Sequence, residues 1–134
     1  MTATLVDSNI LIDVLDHDPL WRRRSASALV SAGRVGPIVI NPVVYAEVSV
    51  RYEDTDELDR DLPFDDFQRE QLPWAAAFLA GKAFAEYRRR GGHRRSPLPD
   101  FFIGAHAAVA GLQLLTRDES RYRPYFPTVK LLVP

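Results

Sequence analysis

The sequence contains no cysteine among its 134 residues. This absence excludes disulfide bonds, thiolate metal ligands and cysteine nucleophiles, and it fits a cytoplasmic location. Lysine is also scarce, because only Lys82 and Lys130 contribute to the 17 cationic residues. Arginine suits bidentate contacts with phosphate, although a compositional bias of the source genome would give the same ratio.

The chain also lacks any apolar run of the ~20 residues that a membrane span requires. Acids at Asp7, Asp13 and Asp16 interrupt the first apolar stretch, and no basic segment precedes it, so we expect neither a signal peptide nor a membrane anchor. The formal net charge is −1, so a nucleic acid would have to bind a local basic patch. With 46% hydrophobic residues, we expect one domain over residues 1–134.

Short apolar runs alternate with helical patterns, which predicts an α/β fold with a parallel sheet. Strands are expected at the start of the stretch 4–12, at 36–40, at 112–115 and, at the sheet edge, at 129–133. Helices are expected after Asp7, at about 19–32 with Gly33 ending it, after Asn41-Pro42, at about 72–90 and at 101–110. The acidic segment 53–66 is expected to form a short exposed helix and a loop.

Two acids lie just after the ends of predicted strands. Asp7 comes after the first strand, and Asp118 comes after the strand 112–115. In open α/β sheets, sites gather at the carboxyl ends of the strands, so the two acids would lie close together if these strands are neighbours. Aspartate is also a preferred helix N-cap, and capping is the better explanation of Asp7 taken alone.

Two further acids lie within or beside apolar helices. Glu47 projects from the valine face of the predicted third helix, which is formed by Val43, Val44, Val48 and Val50. An exposed pair with Arg51 at the i+4 spacing would explain Glu47 only if it lay opposite the valines. Asp100 opens the apolar helix 101–110, where the helix dipole alone would favour an acid. His106 in that helix is expected to be a hydrogen-bonded core histidine, outside the site.

Four converging carboxylates would repel one another by about 4 kcal/mol per pair at ~4 Å, so such a cluster needs a cation. Oxygen ligands without cysteine favour Mg²⁺ or Mn²⁺. Two such ions ~3.5–4 Å apart would clamp the attacking water and the leaving oxygen of a phosphodiester. If four of the 18 acids are neutralised by metal, 14 remain against 17 cations, a net charge of +3.

A run of basic residues follows the long helix. It contains Arg88, Arg89, Arg90, His93, Arg94 and Arg95. The helix dipole explains cations in a last turn, but the run is the best candidate for a phosphate-backbone contact. We therefore take Arg90, Arg94 and Arg95 as candidate RNA-binding residues.

Four motifs occur in order along almost the whole chain. They are a strand followed by Asp7-Ser8-Asn9, Glu47 within Val44-Tyr45-Ala46-Glu47-Val48, Pro99-Asp100 opening an apolar helix, and Leu115-Thr116-Arg117-Asp118. Together they resemble the PIN domain, in particular the VapC-type toxins of bacterial toxin–antitoxin pairs. The resemblance implies a PIN-like three-layer fold, with a central, mostly parallel sheet of four to five strands and helices on both faces.

The resemblance also implies an Mg²⁺- or Mn²⁺-dependent ribonuclease that cuts single-stranded or loop RNA. By position, Asp7, Glu47, Asp100 and Asp118 would be the catalytic metal ligands, and Asn9 and Thr116 would be supporting polar groups. Glu119 is not included, because the match there is poor. The implied partners are a cognate VapB-type antitoxin, whose extended tail would cross the toxin groove, and a second copy of the toxin.

Residue chemistry alone leaves other functions possible for these acids. A haloacid-dehalogenase-type phosphotransferase would need a second aspartate where Asn9 stands. A receiver domain could use Lys130, but it needs paired acids near Asp7 and leaves Glu47 unexplained. The remaining alternatives are a metal-dependent phosphatase or DNA nuclease, and a non-catalytic protein-binding module in which the acids are only caps and surface pairs.

Overall fold

The computed structural model describes residues 2–92 and 98–134, which form an α/β fold around one parallel sheet. The strand order is β3-β2-β1-β4-β5, and every neighbouring pair is parallel. The strands are β1 (Thr4–Val6), β2 (Ile38–Ile40), β3 (Gln68–Arg69), β4 (Gln113–Leu115) and β5 (Leu131–Leu132). The predicted α/β class and parallel sheet are confirmed.

Seven helices pack on this sheet in the described part of the chain. They are α1 (Ser8–Leu15), α2 (Arg22–Val35), α3 (Pro42–Ser49), α4 (Thr55–Asp61), α5 (Trp74–Arg89), α6 (Leu98–Ala110) and α7 (Glu119–Tyr122). Every residue of β1 and β2 is buried, although side chains alternate between the faces of a sheet. Both faces are therefore covered, which is the expected three-layer arrangement. Among the described helices, none combines the length and the apolar character needed to cross a bilayer.

The order in which successive strands are added to the sheet reverses at β1. From β1 the sheet extends through β2 to β3 on one side, and through β4 to β5 on the other. A crevice forms at the carboxyl ends of the strands where the order reverses, and open α/β proteins place their ligands there. This topology places the expected crevice beside the end of β1, where Asp7 follows Val6.

The second helix differs from the prediction at both ends. The Asp18 carboxylate accepts hydrogen bonds from the backbone N–H groups of Leu20 and Trp21, 2.8 and 2.9 Å away, and this turn delays the helix until Arg22. The helix then continues through Gly33 to Val35. It ends at Gly36, whose backbone lies against that of Thr2 so closely that a Cβ atom would not fit.

Two other features of the fold were not anticipated. Strand β3 is only two residues long and polar, so no apolar run indicated it. Val50 is 81% exposed, because α3 ends at Ser49 and the valine face stops with it. The assignment of Val50 to that face was wrong, whereas Val44 and Val48 are fully buried as predicted.

Candidate functional site

The register of β1 against β4 positions the first two polar groups of the site. Val6 pairs with Leu115, so Asp7 and Thr116 follow side by side at the ends of adjacent strands. The backbone N–H of Asp7 donates to the carbonyl of Leu115 at 2.9 Å. The Thr116 hydroxyl donates to Asp7 Oδ2 at 2.8 Å. Strand pairing therefore fixes the position of the Asp7 carboxylate.

The Asp7 side chain does not cap a helix. Asp7 occupies the N-cap position of α1, but its carboxylate makes no capping hydrogen bond. It is only 3% exposed, and it accepts hydrogen bonds from Thr116 and from the Tyr122 hydroxyl, the latter at 2.7 Å. The capping explanation of Asp7 is therefore wrong, because the carboxylate is buried against these two hydroxyl groups and caps no helix.

Glu47 reaches the same crevice from α3. Asn41 caps this helix by accepting a hydrogen bond from the Val44 N–H at 2.9 Å, and Pro42 is its first residue. Glu47 is half-buried, and its Oε1 accepts a hydrogen bond from the Ser8 hydroxyl at 2.7 Å. The same hydroxyl lies 3.5 Å from Asp7 Oδ1. Ser8 therefore links the carboxylates of Asp7 and Glu47.

The exposed pair between Glu47 and Arg51 does not form. Arg51 instead binds Asp16, with 2.7 Å between Nε and Oδ2. This leaves Glu47 without a basic partner in direct contact among the described residues. The exposed pair with Arg51 is therefore not the explanation of Glu47.

Asp100 joins the group through Tyr122. The Tyr122 hydroxyl, which donates to Asp7, also lies 3.4 Å from Asp100 Oδ1. Tyr122 is fully buried at the end of α7. Gly104 on α6 leaves room for its ring, because a Cβ atom there would contact the rings of Phe126 and Tyr122 too closely. The small residue on α6 thus permits the contact that joins two acids of the site.

Asp118 is joined to Asp100 by Arg121. The guanidinium lies 3.1 Å from Asp100 Oδ2 and 2.6 Å from Asp118 Oδ2. The Asp118 N–H donates to the Thr116 hydroxyl at 3.0 Å, which ties Asp118 to the end of β4. Over residues 2–92 and 98–134, no three acids or histidines are already arranged as a ligand set for a metal ion. All four predicted acids are nevertheless brought into one crevice, linked by shared contacts.

Negative charge accumulates in this crevice. Burial raises the pKa of Asp7, although the hydroxyls of Tyr122 and Thr116 act in the opposite direction. Burial, assisted by the charge of Asp7, raises the pKa of Asp100 to about 6 despite the nearby Arg121. Burial and Asp7 also raise the pKa of Glu47. The pKa of Tyr122 is raised well above its usual value by burial and by Asp7, so its hydroxyl stays a hydrogen-bond donor.

The two supporting polar groups also lie at this crevice. The Asn9 amide nitrogen donates to the Thr116 hydroxyl at 3.4 Å, and its oxygen accepts from the Arg117 N–H at 3.3 Å. Asn9 therefore orients Thr116, and Thr116 in turn orients Asp7. The role of Asn9 and Thr116 as supporting polar groups of a metal site stays a prediction.

His106 is a buried core residue, as expected. Its Nδ1 lies 3.0 Å from the amide nitrogen of Asn41, and its Nε2 lies 3.6 Å from Glu70 Oε1. Burial lowers the pKa of His106, so the ring is held neutral and accepts the Asn41 hydrogen bond at Nδ1. His106 thereby supports the residue that caps α3, the helix that carries Glu47.

The candidate RNA-binding residues are only partly described. Arg94 and Arg95 lie outside the described residues. Arg90 is exposed, pairs with Glu86 at 2.8 Å and stacks over the ring of Tyr125. Glu119, which was not assigned to the site, pairs with Arg123 at 2.7 Å.

Three residues of the site were not identified from the sequence. Ser8 follows Asp7 and is typical of the start of a helix, so its sequence position did not indicate a site residue. Arg121 lies in a mixed polar segment without a recognisable motif. Tyr122 reads as the first residue of an aromatic, proline-rich turn. The only available signal was that a buried tyrosine hydroxyl requires a partner, but the burial itself was not readable from local sequence.

Comparisons with known proteins agree with this geometry. Solved structures with the same fold include VapBC2 from Rickettsia felis, solved with a fragment of promoter DNA (TM-score 0.74, 16% identity, 98% of each chain covered). They also include FitAcB from Neisseria gonorrhoeae (TM-score 0.72, 16% identity, 96% of each chain). A toxin–antitoxin complex from Klebsiella pneumoniae has a TM-score of 0.67 and 24% identity, with 98% of this chain and 97% of that chain covered.

At these identities the structural matches establish the fold. Comparison with curated protein sequences gives no significant match. The PIN domain family matches residues 4–127, which include all four acids of the crevice and the residues that link them. PIN domains are generally nucleases. The chain therefore belongs to the PIN domain family.

Proposed function

We propose that this protein is a VapC-type toxin, a divalent-metal-dependent endoribonuclease that hydrolyses phosphodiester bonds in single-stranded or loop RNA. The observation that carries the proposal is the convergence of Asp7, Glu47, Asp100 and Asp118 in one crevice at the switch point of the sheet. These acids come from separate elements, and the single charge of Arg121 does not balance four carboxylates, so a bound divalent cation would offset the repulsion that remains.

The residues present fit Mg²⁺ or Mn²⁺. All four are oxygen donors, which these ions prefer, and burial raises the pKa values of Asp7, Glu47 and Asp100, so their charged forms would gain from a bound cation. When bound at these four carboxylates, the ion would activate a water molecule and polarise the phosphoryl group. The Thr116 and Tyr122 hydroxyls hold one orientation of Asp7.

Contacts to the RNA backbone are proposed at Arg90, Arg94 and Arg95. Arg90 lies at the end of α5 with an exposed side chain, and its partner Glu86 is one turn away on the same helix. A pair of this kind contributes little, so a phosphate could replace it. Replacing Arg94 and Arg95 by alanine is expected to weaken RNA binding and to flatten its salt dependence, measured by fluorescence anisotropy.

A cognate VapB-type antitoxin and a second copy of the chain are the proposed protein partners. Structures with this fold are of toxin–antitoxin complexes, which supports the proposal without identifying the partner. Trp74 and Phe78, one turn apart on α5, are 91% and 70% exposed. Such an apolar surface is typical of one that association covers. Light scattering of the purified chain, alone and co-expressed with its neighbouring gene product, tests both partners.

The activity is tested with a fluorescently labelled RNA pool and Mg²⁺ or Mn²⁺, against a chelator control. We expect cleavage by the wild type and its loss in Asp7→Asn and in Glu47→Gln, with the fold retained. Asp56→Asn is the matched control, because it removes one charge from an exposed position on α4. Single-stranded DNA of the same sequence is the second substrate.

Each result has a distinct meaning. Chelator-sensitive RNA cleavage that only the site variants lose supports the proposal. Cleavage of DNA in preference to RNA would identify a DNA nuclease instead. Absence of cleavage together with no thermal stabilisation by millimolar metal would favour a binding module, since an ion that binds only the folded state raises its stability.

A further inference from the structure

Arg121 contacts the acids of the crevice, although it lies outside the four sequence motifs. It contacts two of the four acids at once, Asp100 through Nη1 and Asp118 through Nε. Its charge also acts on Asp7 and Glu47: burial raises the pKa of both carboxyls, and the guanidinium opposes this rise. One guanidinium thus reaches every acid of the site, either by contact or through its field.

We propose that Arg121 is an internal counter-ion that competes with the divalent ion for Asp100 and Asp118, and so sets the metal affinity of the site. The inference rests on the proposed function, because it requires that these acids bind metal. It concerns a residue of this chain rather than a bound partner.

The competition follows from the oxygen atoms involved. Asp100 Oδ2 and Asp118 Oδ2 are the atoms that Arg121 contacts, and the same carboxylates are proposed as metal ligands. A carboxylate lone pair that accepts from the guanidinium is not free for a metal ion, and in residues 2–92 and 98–134 no ligand set for a metal ion is already formed. An incoming ion must therefore displace Arg121 and work against its positive charge.

The fold allows Arg121 to leave without disturbing the core. The Arg121 side chain is 55% exposed, whereas Asp100 is 13% exposed and Tyr122, the next residue, is fully buried. Tyr122 keeps α7 in place, so the guanidinium can turn towards solvent by rotation of its own side chain. In the metal-free protein the same guanidinium offsets part of the repulsion among the acids.

The test is direct measurement of Mn²⁺ binding, from the electron paramagnetic resonance signal of free Mn²⁺, on chelator-stripped full-length protein. The variants are Arg121→Gln and, as a matched control, Arg123→Gln. Arg123 lies only two residues away in the chain, but its partner is Glu119, outside the site. Both variants remove one positive charge, so a general effect of net charge would raise the Mn²⁺ affinity of both by the same factor.

We expect Arg121→Gln to bind Mn²⁺ on the order of tenfold more tightly than the wild type and Arg123→Gln. We also expect metal-free Arg121→Gln to melt at a lower temperature than metal-free Arg123→Gln, and to gain more from added Mn²⁺. Arg121→Lys keeps the charge but loses the two-pronged contact, so its affinity should be intermediate. If Arg121→Gln does not fold, the Mn²⁺ affinity of Arg121→Lys is compared with that of Arg123→Gln instead.

Two outcomes would overturn the inference, and they are distinguishable. If all proteins bind Mn²⁺ but neither Arg121 variant binds more tightly than Arg123→Gln, then Arg121 does not compete with metal, and the proposed nuclease function is unaffected. If none of the proteins binds Mn²⁺ at millimolar concentration, the metal site itself is absent, and the proposed function fails together with the inference.

Discussion

Among single residues, Tyr122 has a role that can be separated from simple packing. Its hydroxyl donates to a buried carboxylate, and its ring packs near Gly104 beside the ring of Phe126. Replacing tyrosine by phenylalanine keeps the ring and removes only the donor. The effect of the hydrogen bond on Asp7 can therefore be measured without creating a cavity.

We predict that Tyr122→Phe lowers the free energy of unfolding in chelator by about 1–3 kcal/mol, because a buried charged acceptor loses its donor. RNA cleavage should fall as well, since Asp7 loses one of the two groups that orient it. Tyr125→Phe is the control, because Tyr125 contacts its neighbours through its ring. Urea denaturation and initial cleavage rates measure the two effects. Equal losses of stability and activity in Tyr122→Phe and Tyr125→Phe would contradict the role given to the Tyr122 hydroxyl.

Asp100 gives a prediction for pH dependence in the metal-free protein. Its pKa is about 6 in the folded chain, above the ordinary value of 3.8. The folded protein therefore holds a proton that the unfolded chain has released. The stability linked to this proton is present below about pH 4 and is lost as the pH rises through about 6.

We predict that the unfolding free energy of the wild type, relative to Asp100→Asn, falls by about 1 kcal/mol between pH 5 and pH 7.5 in chelator. The comparison with Asp100→Asn is necessary because the lowered pKa of His106 makes stability rise with pH, opposite to the effect of Asp100. The His106 contribution is present in both proteins, so the difference between them removes it. Urea denaturation at several pH values measures the difference. A difference that does not change with pH would show that Asp100 titrates normally.

At the level of elements, the site depends on how closely α6 approaches α7. Gly104 on α6 permits this approach, because its missing Cβ leaves room for Tyr122 and Phe126. Gly81 in α5 provides the contrast, since a Cβ there would meet no other atom within 4 Å. The same substitution should therefore have opposite effects in the two helices.

We predict that Gly104→Ala destabilises the protein by about 1–3 kcal/mol, because the added methyl group overpacks the interface. Gly81→Ala should instead stabilise it by about 0.5–1 kcal/mol, because alanine loses less backbone entropy in a helix. Thermal and urea unfolding give both values. RNA cleavage should fall only in Gly104→Ala, and stabilisation by both variants would refute the packing argument.

For the molecule as a whole, a second ionic network holds the elements around the crevice together. Asp13 on α1 is 2% exposed. It accepts a hydrogen bond from Ser25 on α2 at 2.7 Å and pairs with Arg117, after β4, at 2.9 Å. Arg117 also stacks over the ring of Trp21. Arg117 is thus a structural residue that joins α1, α2 and the loop carrying Asp118.

We predict that Arg117→Met lowers the unfolding free energy by about 3 kcal/mol, because it leaves the buried Asp13 charge unpaired. Arg51→Met should cost less than about 1 kcal/mol, because its pair with Asp16 is solvent-exposed. Adding Asp13→Asn to Arg117→Met should recover part of the loss, since it removes the unpaired charge. Urea denaturation of the four proteins checks the series, and similar losses in both arginine variants would contradict it.

The sequence alone determined the strands other than β3, most of the helices and the four acids, because these depend on local patterns. A run such as Leu5-Val6 predicts a buried strand wherever it is placed, and the cap Asn41-Pro42 starts a helix without help from distant residues. The position of Asp7 and Asp118 after apolar strands likewise needed only the order of residues.

Only the tertiary structure decided which groups surround those acids. The polar strand β3 forms because β2 offers it an edge, and Tyr122 is buried because α6 has a glycine opposite its ring. Arg121 and Ser8 became parts of the site through partners 21 and 39 positions away in the chain. Burial and ionic partners depend on such distant neighbours, and local sequence patterns do not encode them.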